Sequence, residues 1–107
     1  MATLESNLKE ILHDAVNFAQ DDLKNLIVNA KKDSSLFIKS QAKRLEEYIA
    51  SLAKGAITKE EFEDLVKGLT SLNKIEYHKL SAQAKSRAQE LSNKITELVI
   101  DGLMKMI

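Results

Sequence analysis

The side chains able to do chemistry are few. His13 and His78 are the only imidazoles, and there is no cysteine. Disulfides, thiol nucleophiles and cysteine-held clusters are therefore out of reach. Glu10-Ile11-Leu12-His13 has the Glu-x-x-His spacing that sets two metal ligands on one helical face. At about 100° per helical residue, however, Glu10 and His13 point away from Leu8, Ala15, Ala19 and Leu26. Ligands of a bundle metal site must point inward, and no second pair exists, because Ile75 holds the matching position before His78. No metal or other cofactor is expected. His78, beside Tyr77, reads as a rim histidine.

The other candidate constellations are equally incomplete. Ile57-Thr58-Lys59-Glu60-Glu61-Phe62-Glu63-Asp64-Leu65 resembles the entering helix of a calcium-binding EF-hand, but no oxygen-rich loop with its glycine follows. The three glycines, at 55, 68 and 102, are isolated, so no phosphate loop forms. The serines lack a nucleophile-and-base pattern. The adjacent carboxylates Asp21-Asp22, Glu46-Glu47 and Glu60-Glu61 read as solvated faces. Lys39, Lys43 and Arg44, with Lys85 and Arg87, can form a small positive patch. Sixteen cations balance sixteen anions, so the basic surplus that feeds phosphate binding is missing. The expectation is a protein that is not an enzyme and does not bind nucleic acid.

The elements that must position these residues are helices. The 107-residue chain has no proline, three glycines and five aromatics, so nothing forces a break and strand formers are sparse. Its length fits one domain over residues 1–107. The clearest punctuation is Lys54-Gly55-Ala56-Ile57-Thr58-Lys59-Glu60-Glu61-Phe62. Thr58 and Glu61 make a capping box, and Ile57 with Phe62 a hydrophobic staple. Gly55 suits the left-handed residue that ends the preceding helix, where Lys54 complements the dipole.

On either side of this turn the apolar residues keep helical spacing. The first stripe runs Leu4, Leu8, Leu12, Ala15, Ala19, Leu23, Leu26, Ala30, then Ile38, Ala42, Leu45, Ile49, Leu52. The second runs Phe62, Leu65, Val66, Leu69, Leu72, Leu80, Ala84, Ala88, Leu91, Ile95, Leu98. Val16, Ile27, Ile38 and Ile49 also recur every eleven residues, as three helical turns require. The prediction is an all-α antiparallel helical hairpin: helix A over about 3–54, helix B over about 59–106. Asp33 or Ser34 can cap a new helix and divide A near 31–35, and Gly68 with Thr70-Ser71 can divide B near 68–73. Undivided, each helix has about 50 residues and a length of roughly 75 Å. Divided, they make an equivalent compact bundle. Residues 1–30 and 55–77 are net acidic, and 31–54 and 78–107 net basic, so opposite signs meet in the hairpin.

The C-terminus holds an apolar surplus. Val99, Ile100, Leu103, Met104, Met106 and Ile107 cover most of the helix circumference, which one hairpin partner cannot bury. Leu36 and Phe37 are likewise bulky and off the main stripe. The expected interface is therefore Leu36, Phe37, Val99, Ile100, Leu103, Met104 and Ile107, and it completes the fold by oligomerisation. A homodimer would form a coiled-coil-like four-helix bundle. The expected function is self-assembly or partner docking, and the alternative is an amphipathic lipid-surface protein. Size and midpoint turn are similar to those of the small secreted hairpins of the WXG family. The turn here is Lys54-Gly55-Ala56-Ile57 without Trp-x-Gly, so the likeness covers architecture alone. No signal peptide and no membrane-spanning stretch are predicted, and a cytoplasmic location is expected, leaderless secretion staying open.

Overall fold

The computed structural model describes residues 3–12, 20–72 and 75–106. His13, Ala15, Val16, Ala19 and Ile107 lie outside these. All regular structure among the described residues is helical. Helix α1 spans Leu4–Leu12, α2 Gln20–Lys31, α3 Leu36–Ala53 and α4 Lys59–Thr70. One turn, α5, covers Ile75–His78. Helix α6, Ala82–Ile95, runs on as a π-helical segment, Thr96–Leu103, and closes with α7, Met104–Met106. None of these helices is long and apolar enough to cross a membrane.

Each half of the chain is divided, so the compact bundle replaces the long hairpin. The longest dimension is 41 Å and the radius of gyration 13.5 Å. A globular chain of this length has a radius of gyration of about 13 Å. Helix α2 ends as Lys32 and Asp33 N–H groups turn back to the Asn29 and Ala30 carbonyls. Asp33 then accepts the Ser35 N–H at 2.8 Å, an Asx turn that stops the helix. The cap of α3 is Ser35, one residue beyond the two expected, and its hydroxyl makes no capping bond.

The midpoint turn closes by local chemistry. Gly55 takes φ +75°, where a Cβ is strained. Its N–H bonds to Leu52 O, and the Ala56 N–H reaches Ser51 O, the paired bonds of a Schellman motif. Thr58 Oγ1 accepts the Glu61 N–H at 3.1 Å, and Glu61 Oε1 accepts the Thr58 N–H at 2.9 Å. Such a cap contributes about 0.5–2 kcal/mol. Phe62 is fully buried and Ile57 packs against the same core. Helix α4 stops at Thr70, within the expected soft spot, and Ser81 starts α6 by accepting the Ala84 N–H at 3.1 Å.

One contiguous apolar cluster holds the elements together, from Leu4 and Leu8 through Leu23, Ile27, Ile38, Leu45, Ile49, Phe62 and Val66 to Ile95 and Leu103. The C-terminal surplus is absorbed here. Val99 and Leu103 are 0% exposed and Met104 6%, with Ile100 packed partly against them. The π-helical segment lies against both α2 and α4, so it is enclosed on more sides than a hairpin offers. Val99, Leu103 and Met104 are thus buried in the core of the protomer. The π geometry has a reason in the sequence. Leu91, Ile95, Val99 and Leu103 follow at intervals of four, a spacing that drifts about 120° around an ideal α-helix. Wider i→i+5 turns hold more residues and keep Val99 and Leu103 inward. Thr96 Oγ1 donates to Ser92 O at 3.0 Å where the widening starts, a back-bond that bends helices.

Candidate interaction surface

Where α2 breaks, Asp33 does two jobs. Beyond its bond from Ser35, it receives Arg87 from α6 through two hydrogen bonds, Nε to Oδ2 at 3.0 Å and Nη2 to Oδ1 at 3.2 Å. The Arg87 guanidinium, followed by the Ser35 N–H, holds the Asp33 carboxyl below the usual carboxylate range. The start of α3 is thereby pinned to α6.

Beside this tie, a groove of about 850 Å³ opens between the first half of α3 and the α5–α6 stretch. Phe37, Leu80 and Ala84 give it apolar walls. Its charged lining residues are Arg44, Lys79, Arg87 and Glu76. The rings of Phe37 and Tyr77 sit 6.2 Å apart at a tilt, fixing α5 against α3. Lys85 Nζ lies 6.0 Å from the Tyr77 ring centre, and His78 stands edge-on to the same ring. Leu36, at the mouth, is 80% exposed, and Ile75, which opens α5, is 72% exposed.

The floor of the groove includes Gln41, only 3% exposed. Its Nε2 donates to Leu69 O at 3.1 Å, satisfying a carbonyl that the end of α4 leaves open. That bond anchors the C-terminal end of α4 to α3. The Gln41 Oε1 has no partner among the described residues.

The expected interface is therefore split by the fold. Leu36 and Phe37 line the groove, Ile100 packs partly on the core, and Val99, Leu103 and Met104 are buried. The expected basic patch is partly gathered: Arg44 and Arg87 share the groove, with Lys85 at Tyr77. Gly55, Ile57, Thr58, Glu61 and Phe62 serve the turn, far from chemistry. Little in the sequence marks Ile75 and Lys79 as part of this surface. The only local sign is that Ile75 falls off the apolar stripe.

A second cleft, about 590 Å³, runs between α2 and α6 past Asp22, Asn29, Glu90 and Lys94. Among the described residues no three His, Asp or Glu side chains gather as a metal site would need. The arrangement defines an all-helical bundle with an open, part-apolar groove. The chain matches no family model, no curated protein and no solved structure.

Proposed function

We propose that the protein is a non-enzymatic helical module that works by docking, through the groove between α3 and α5–α6, onto a second copy or another protein. The observation that carries this reading is the exposure of Leu36, which lines the groove, and of Ile75, the chain neighbour of the lining residue Glu76. Single exposed apolar residues are ordinary on any surface. Two large ones beside a part-apolar concavity are the usual make-up of a contact site. A homodimer is the simplest assembly it serves.

The test replaces both residues. Leu36→Asp with Ile75→Asp should keep the helical circular-dichroism spectrum, since neither side chain packs in the core. It should lose either the assembly state seen for the wild type by light scattering or retention of partner proteins from the native host. If assembly and retention both stay at wild-type levels, this reading is wrong. The amphipathic lipid-surface alternative draws on the same two residues, and co-flotation with anionic vesicles at low salt separates it from docking.

A further inference from the structure

The groove and α4 carry opposite signs, and each leaves apolar surface uncovered. Of the groove's cations, Arg87 is spent on Asp33, while Arg44 and Lys79 make no ion pair with a described residue. Glu76 offsets one of them. The N-termini of α3 and α6 both open onto this groove, and neither has an acidic residue in its first turn. The α6 terminus adds roughly half a positive charge, whereas the Asp33 carboxylate sits against that of α3. Two of the segments that build the groove are net basic, residues 31–54 with six cations against three anions and 78–107 with five against three, while Glu76 comes from the net-acidic 55–77 segment.

Helix α4 is the complement. Glu60, Glu61 and Asp64 are exposed on one face, together with Leu65 at 38% exposure. Glu60 and Asp64 make no ion pair with a described residue. Gly68 lies on the same face, in a helix where glycine costs about 1 kcal/mol. Neither crowding nor backbone conformation calls for glycine there: a Cβ built at Gly68 meets no atom of the described residues within 4 Å, and its φ is ordinary. A bare backbone on an exposed face admits close approach from outside.

No residue of this face is among those lining the protomer's own groove. Gln41 fixes the α4 end at Leu69, and Glu60 lies nine residues back along a rigid helix, about 14 Å away. We infer that the groove's occupant is a second copy of this chain, which lays the Glu60–Asp64–Leu65–Gly68 face of α4 against Leu36, Arg44 and Lys79. The inference rests on the docking reading above and names its partner.

The two patches are different, so each can be disabled alone. Leu36→Asp, or Arg44→Glu with Lys79→Glu, disables the groove, and Glu60→Lys with Asp64→Lys disables the face. All these side chains are exposed, and circular dichroism with thermal melting checks that each full-length variant folds. Sedimentation velocity over a concentration series should show the wild type associating. Each variant alone should need about tenfold or more higher concentration for the same mass. An equimolar mixture of a groove variant and the face variant should regain association, because one intact groove meets one intact face. A wild type that stays monomeric throughout, variants that associate like it, or a mixture no better than its parts would each overturn the inference. A face variant that associates normally beside a disabled groove variant overturns it too, while leaving docking through the groove in place. Loss of all groove-dependent binding, by copies or by host proteins, is what would bring down the docking reading itself.

Discussion

Asp33 shows how much one side chain can settle. Its carboxylate ends α2 through the Ser35 N–H and ties α3 to α6 through Arg87. The pair is partly solvated, Arg87 being 44% exposed, so its value lies near the top of the surface range, about 1 kcal/mol. Because the folded carboxyl titrates below its ordinary 3.8, the unfolded chain takes up the proton first on acidification. The stabilisation is complete above 3.8 and is lost as pH falls through the lower folded value. Asp33→Asn keeps an oxygen for Ser35 and removes the charge. Its urea midpoint should lie below that of the wild type at pH 6, and the gap should close on acidification through that window. A gap that persists well below it would mean that the Arg87 pair is not what the variant loses. The bond between these residues spans 54 positions, and nothing near either one announces the other. Gln41 and the Leu69 carbonyl are hidden from sequence for the same reason.

At the scale of elements, what could be read was what local chemistry decides. The turn at Gly55–Phe62 is legible because caps, staple and left-handed glycine all act within nine residues. Ser81 carries only half a signal, because Ala84 stands where a capping box needs Glu. The C-terminus misleads for a different reason. A helix apolar all round calls for cover on several sides, and periodicity cannot say whether a partner or the protomer supplies it. Here α2 and α4 do, helped by the π-helical widening that lines Val99 and Leu103 up with Ile95. Leu103→Ala should therefore behave as a core truncation, costing about 2–5 kcal/mol of protomer stability. Denaturant unfolding at a concentration too low for assembly is the measurement. A midpoint equal to the wild type's, with assembly altered, would return Leu103 to an interface.

For the whole molecule, breaking each half once or twice exchanges length for cover. An undivided hairpin would leave one flank of each helix exposed along roughly 75 Å. The bundle folds that surface inward, and among the described residues the large apolar side chains left exposed are Leu36, Ile75, Leu65 on α4 and Val28 on α2. Charge is sorted by the same folding. The net-basic segments supply Arg44 and Lys79 to the groove, where 55–77 adds Glu76, and the same net-acidic 55–77 segment carries α4, so a protein of zero net charge presents a basic groove and an acidic helix face. Zero net charge removes the long-range repulsion that keeps many proteins apart, which leaves the patches free to decide association. Contacts of this kind are screened with a Debye length of about 10 Å at 0.1 M salt, whereas burial of Leu36 and Leu65 is not. Small-angle scattering tests both statements on one sample. At high dilution the radius of gyration should approach 13.5 Å. A rod of hairpin length would give about 22 Å, and that result would discard the bundle. As concentration rises the apparent mass should grow at low salt and grow less at 0.5 M. Growth that salt leaves unchanged would assign the contact to apolar surface alone, and the charge pattern of α4 and the groove would then have no part in it.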